Sequence, residues 1–165
     1  MKRGASMFTK IHYDGPIAEQ YHSLTKQLDA LLTGETDRIA NLSNASALLN
    51  QFLTNINWVG FYILREDELV LGPFQGLPAC VRIPTGRGVC GTAVARKETI
   101  VVKDVHEFPG HISCDAASQS EIVIPLIKNG EVIGVLDIDS PIVNRFSKDD
   151  QDGLELFVHT LLLHL

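Results

Sequence analysis

An Asn-Gly pair set between two apolar runs constrains this 165-residue chain more than any other feature. Residues 121–127 (EIVIPLI) and 132–138 (VIGVLDI) are rich in β-branched side chains, and Asn129-Gly130 lies between them. Both turn positions tolerate positive φ, which a tight hairpin requires. The two runs are therefore read as antiparallel strands joined by a short turn.

The flanking sequence has two kinds of periodicity. Ile17, Tyr21, Leu24, Leu28 and Leu31 recur at spacings of 4, 3, 4 and 3, one face of an amphipathic helix over residues 16–32. Pro16 suits its first turn and Gly34 its end. A second helix is expected over about residues 35–53, with Ile39, Leu42, Leu49 and Phe52 facing inward. Residues 57–64 (NWVGFYIL) read as a strand, 65–68 as a polar turn and 69–71 as a returning strand. A third strand is expected over 80–83 and a short one over 99–102. Residues 86–97 open with glycines and become Ala-rich, a loop leading into a short helix. Ser147 and Asp150 form a capping box for a last helix, with Leu154, Phe157, Val158 and Leu161 as its buried stripe. The expectation is one α+β domain over residues 8–165. It has a meander of about six antiparallel strands, flanked by N-terminal and C-terminal helices. Residues 1–7 are read as an expression remnant or a disordered N-terminus.

Composition then excludes several function classes. The chain carries 14 Lys plus Arg against 20 Asp plus Glu, a formal net charge of -6, with its basic residues scattered. Nucleic acid and anionic membranes are disfavoured as partners. No apolar run approaches the roughly 18–20 residues of a membrane helix, and no secretory signal is visible. Three cysteines, Cys80, Cys90 and Cys114, argue against a structural disulfide framework and for a reducing, cytoplasmic setting.

The cysteines are the first candidates for chemistry. Cys90 lies at the glycine-rich entrance of the short helix, where a helix N-terminus lowers a thiol pKa. Cys80 follows Pro78 at the start of a strand. Cys114 lies in the long polar segment 103–120, after His111 and beside Asp115. Loops of that length inside a compact domain are usually functional. A buried Cys is commonly only a small hydrophobe, a reading that is weakest for Cys114.

The second candidates are acidic. Asp137 and Asp139 are two apart on a strand and project to one face. Glu121 is eight residues before the Asn129-Gly130 turn, and the two aspartates are seven and nine after it. All three carboxylates thus fall near one end of the hairpin, where like charges raise one another's pKa. A solvated strand end is the competing explanation. Trp58 and Tyr62 share a strand face and could wall a small-ligand pocket, or merely pack in the core. Gly86-Arg87-Gly88 matches no standard phosphate-binding pattern. His106 and His111 fit no common zinc spacing, and no resident metal is expected.

Seven segments together resemble one family. They are NWVGFY (57–62), LGPFQG (71–76), ACVRIP (79–84), GRGVCGTA (86–93), GHISCD (110–115), SQSEIV (118–123) and GVLDIDS (134–140). The chain resembles the free methionine-(R)-sulfoxide reductases, single-domain enzymes of GAF type. The resemblance implies Cys114 as nucleophile, Cys80 as resolving thiol and Cys90 as a third thiol without a settled role. It implies Trp58, Tyr62, Glu121, Asp137 and Asp139 as the substrate-binding set. It further implies free methionine-(R)-sulfoxide as substrate, thioredoxin as reductant with NADPH acting only upstream, no bound cofactor, and homodimerisation. Fold alone would be weak evidence, because many GAF domains are ligand sensors. A sensor without turnover and a zinc-binding or thiol redox-sensing protein are the two rival readings.

Overall fold

The computed structural model describes residues 8–165. The reading of residues 1–7 lies outside the described residues. Four helices and six strands follow the chain: α1 (Ile17–Leu32), α2 (Arg38–Phe52), β1 (Trp58–Arg65), β2 (Glu68–Gly76), β3 (Arg82–Pro84), α3 (Gly88–Arg96), β4 (Ile100–Val102), β5 (Ser120–Lys128), β6 (Glu131–Ser140) and α4 (Lys148–Leu162). The hairpin turn has Asn129 at φ 53° and Gly130 at φ 80°, with Lys128 opposite Glu131. Positive φ at both positions is what this two-residue connection demands.

The strands form one sheet in the order β3-β2-β1-β6-β5-β4. The architecture is α+β, as read, but a single meander is not what forms. Two three-stranded meanders, β1-β2-β3 and β4-β5-β6, are joined by antiparallel pairing of β1 with β6. These two strands are largely buried, so both belong at the sheet centre. The edges fall to β3 and β4, of three residues each. Short edges expose few unpaired backbone groups.

Alternation divides the core in two. Val59, Phe61, Ile122, Ile124, Leu136 and Ile138 face α1, α2 and α4. Trp58, Tyr62, Val123 and Val135 face the opposite side, against Val89, Cys90 and Ala93 of α3. On the first side Gly153 of α4 meets the Tyr21 ring, where a Cβ would lie 2.1 Å away. The Tyr21 hydroxyl donates to Asp150 at 2.7 Å. Asp150 also completes the expected capping box with Ser147.

Several boundaries differ from the sequence reading. Asp37, accepting from the Ala40 N–H at 2.9 Å, caps α2. That places the helix start at Arg38, because Glu35 spends its carboxylate on the Thr36 and Asp37 N–H groups. Ile39 is then 70% exposed rather than buried, and Ile17 is also exposed. Both residues lie in the first turns of α1 and α2, where these two helices extend past the core. The returning strand runs on to Gly76, since β1 offers it partners along most of its length. Cys80 lies outside β3, on the connection from β2.

Candidate active site

The central strands align the site residues in rows. Trp58 on β1 pairs with Asp139 on β6, which pairs with Glu121 on β5. In the next row on that face, Gly60 pairs with Asp137, and Asp137 with Val123. Tyr62 follows, paired with Val135. Trp58, Tyr62, Glu121, Asp137 and Asp139 thus share one face at one end of the hairpin, together with pocket-lining residues from α3 and two loops.

Glycines seat the aromatic wall. Trp58 stacks on Phe74 at 5.2 Å between ring centroids and on Tyr62 at 5.9 Å. A Cβ at Gly60 would lie 2.2 Å from the Phe74 Cβ and 2.9 Å from the Trp58 ring. The indole N–H donates to the Leu77 carbonyl at 3.1 Å. The Tyr62 hydroxyl donates to the Cys80 carbonyl at 2.8 Å, so the wall also holds the cysteine loop.

Cys80 and Cys114 are joined as a disulfide, with Cα atoms 5.8 Å apart and a sequence separation of 34. Cys114 lines the pocket, as does Ala79, the residue before Cys80. Cys90, in the first turn of α3, is a buried free thiol. Its sulfur and one carboxylate oxygen each of Glu121 and Asp137 lie within 4.8 Å of one another. The expected lowering of the Cys90 pKa by its helix N-terminus does not hold. Burial, then the charges of Asp137, Glu121 and Asp139, push this thiol well above its ordinary value. A helix terminus contributes about 0.3–1 kcal/mol in ordinary cases, and desolvation beside carboxylates outweighs it.

The carboxylates are displaced in the same direction. Burial first, then the Asp139 charge, raises Glu121 from 4.5 to about 8. Burial and the Glu121 charge hold Asp137 well above the carboxylate range. Burial, Asp137 and Asp115 do the same to Asp139. Glu121 and Asp137 act on each other's proton affinity, so their titrations are coupled. A carboxylic acid that keeps its proton near neutrality can donate it to a ligand. The Oδ1 atom of Asp137 is buried without a partner among the described residues.

Two residues passed over as site members complete the arrangement. His111 Nε2 stands 3.4 Å from Glu121 Oε2, and the ring lines the pocket. Burial lowers its pKa, which favours the neutral imidazole. Asn57 donates through Nδ2 to Asp115 Oδ2 at 2.9 Å and to Ser118 Oγ at 3.1 Å. Its backbone N–H donates to the Asp139 carbonyl at 2.9 Å. The segment after Cys114 is therefore tied to the acidic strand.

The GAF domain family matches residues 27–165. The free methionine-R-sulfoxide reductase of Escherichia coli is 58% identical over 143 residues, covering 87% of this chain and 87% of that protein. A solved structure of free methionine-R-sulfoxide reductase from Neisseria meningitidis in complex with its substrate is 43% identical. It has a TM-score of 0.88 and covers 93% of each chain. The chain belongs to the free methionine-R-sulfoxide reductase family of GAF-domain enzymes. The reduced-form structure of fRMsr of Staphylococcus aureus is a further neighbour. It is 57% identical at a TM-score of 0.86, over 88% of this chain and 94% of that one.

Against this family background the grouping of residues has a simple origin. Two strands of the hairpin bring the three carboxylates, β1 brings both aromatic rings, and α3 brings Cys90. His106 stays outside, exposed and bound to Asp104 at 2.9 Å. The sequence signal for His111 was its place three residues before Cys114. For Asn57 it was its place directly before Trp58. Neither signal says which loop the side chain would meet. Among the described residues no helix is long and apolar enough to cross a membrane.

Proposed function

We propose that this chain reduces free L-methionine (R)-S-oxide to L-methionine. A Cys114 thiolate attacks the sulfoxide sulfur, since the thiolate and not the thiol is the nucleophile. A carboxylic acid of the Glu121–Asp137–Asp139 cluster gives its proton to the sulfoxide oxygen. Methionine leaves and Cys114 is left as a sulfenic acid. The Cys80 thiol condenses with it, releasing water and forming the Cys80–Cys114 disulfide. A dithiol protein, thioredoxin, reduces this disulfide by exchange and is itself oxidised. NADPH supplies electrons upstream through thioredoxin reductase, so no cofactor need be bound here. The reaction belongs in the cytoplasm and repairs oxidised free methionine.

One observation carries this reading. Cys114, disulfide-bonded to Cys80, lines the same pocket as three carboxylates displaced toward their protonated forms. A redox couple and a proton source are what sulfoxide reduction consumes. Trp58 and Tyr62 enclose the methyl end of the substrate. A carboxylate pairs with the substrate ammonium, which a methionine within a peptide lacks, and this selects the free amino acid.

The test is NADPH oxidation coupled through thioredoxin and its reductase. The substrates are free methionine-(R)-sulfoxide, its S epimer and a peptide-bound sulfoxide. Turnover of the free R form alone, abolished in Cys114→Ser, is expected. Turnover that survives Cys114→Ser overturns the assignment of the nucleophile. Failure of the fully reduced protein to turn over the free R form overturns the activity.

A further inference from the structure

We propose that this pocket is also a zinc site, built by Cys90, Glu121 and Asp137 with His111 as the fourth ligand, and that zinc bound there blocks the reductase. The blocking rests on the function proposed above; the binding does not.

The donor set is compact. One ligand atom each from Cys90, Glu121 and Asp137 already lies within 4.8 Å of the other two. Bonds of about 2.3 Å to sulfur and about 2.0–2.2 Å to oxygen and nitrogen place tetrahedral donors roughly 3.3–3.8 Å apart. Contraction by about an ångström closes the set. His111 Nε2 stands at that separation from Glu121 Oε2, 3.4 Å, but outside the 4.8 Å group, so its ring must move toward Cys90 and Asp137 to complete the set. The set combines a thiolate, an imidazole and two carboxylates. Thiolate and imidazole favour zinc, whereas magnesium and calcium take oxygen donors alone.

A second observation points to a ligand. Asp137 is 7% exposed, and its Oδ1 has no hydrogen-bond partner among the described residues. A buried oxygen left unpaired carries a desolvation cost. Its carboxylate lines the pocket with those of Glu121 and Asp139, and these groups crowd negative charge when ionised. A dication entering the pocket supplies the missing partner and cancels that repulsion. It displaces the protons of Cys90 and of the carboxylates into solvent. The acid that protonates the sulfoxide oxygen is then lost. Cys90, buried and outside the Cys80–Cys114 disulfide, acquires a role as the zinc thiolate.

The oxidised protein gives a clean test, because its disulfide leaves Cys90 as the sole free thiol. Cobalt(II) is titrated into it and read by absorbance, and zinc is then added. One equivalent is expected to bind, with a thiolate-to-cobalt charge-transfer band and the visible bands of a four-coordinate ion. Stoichiometric zinc should erase both. Cys90→Ser should abolish the charge-transfer band. Asp137→Asn, which keeps the thiol, should weaken binding at least tenfold, and melting curves establish that each variant is folded. Absence of a charge-transfer band in the parent protein overturns the site. So does a band that survives Cys90→Ser, or one that Asp137→Asn leaves at full affinity. In the coupled assay, zinc should inhibit and EDTA restore turnover. If binding is found without any reductase activity, the function above fails and the zinc site stands.

Discussion

Asn57 links the two halves of the chemistry. Its Nδ2 donates to Asp115 Oδ2 at 2.9 Å, next to Cys114, while its backbone N–H donates to the Asp139 carbonyl. One residue thus positions the cysteine loop against the acidic strand. Its Oδ1 is buried without a partner among the described residues, so packing and the two Nδ2 bonds hold the side chain.

Asn57→Ala should therefore damage catalysis more than folding. Each lost hydrogen bond is worth about 0.5–1.5 kcal/mol in stability. Misplacing a reacting group by an ångström can cost about a hundredfold in rate. We expect kcat to fall roughly tenfold to a hundredfold with a smaller change in KM. Steady-state kinetics check this. A loss confined to thermal stability, with kcat intact, would show that Asn57 only supports the fold.

Tyr62 holds the Cys80 carbonyl through its hydroxyl at 2.8 Å. Burial pushes that phenol up, so it stays a neutral donor. Tyr62→Phe keeps the ring and removes the bond. Disulfide formation after the first turnover should slow, while methionine release in a single turnover stays near the parent rate. Rapid-quench measurement separates the two steps. Equal effects on both would assign the hydroxyl to the substrate instead.

The raised pKa of Glu121 has a consequence for stability against pH. The unfolded carboxyl loses its proton near 4.5, whereas the folded one keeps it to about 8. Between those values the folded state binds more protons, so stability falls as pH rises and levels off above the window. The slope is at most about 1.4 kcal/mol per pH unit for each proton that separates the states. Asp137 and Asp139 are displaced the same way and add to it. Urea unfolding of the oxidised protein across this range should show the decline, and Glu121→Gln should flatten it. A stability that instead rises through the window would mean that these groups are ionised in the folded state.

Gly60 on β1 pairs with Phe74 of β2 beside the Trp58 ring. A methyl there would lie 2.2 Å from the Phe74 Cβ and 2.8 Å from its Cα. Backbone cannot step aside as a flexible side chain can, so β1 and β2 must separate. Gly60→Ala should destabilise by about 1–3 kcal/mol and raise KM by tilting Trp58. Chemical denaturation and substrate titration read the two effects independently. A melting temperature equal to the parent's would disprove the clash.

Local sequence determined what depends on neighbours along the chain. The Asn129-Gly130 turn, the Ser147–Asp150 capping box and the apolar stripes of α1 and α4 are set by φ preferences and periodicity within a few residues. The turn set the first pairs of its hairpin, Lys128 with Glu131 and Ile127 with Val132, but a one-residue register shift between Leu126 and Ile127 is what puts Glu121 opposite Asp139. Tertiary structure decided the rest. Pairing of β1 with β6 joins segments about 80 residues apart in sequence, and it places Trp58 beside Asp139. No local pattern encodes that neighbour. The Cys80–Cys114 pairing likewise depends on where two loops meet, since three cysteines allow three pairs. Cys90 shows the physical reason most directly. Its sequence position promised an acidic thiol, and its burial beside two carboxylates reversed the sign. Desolvation and charge proximity act through space, so they exist only once the chain has folded.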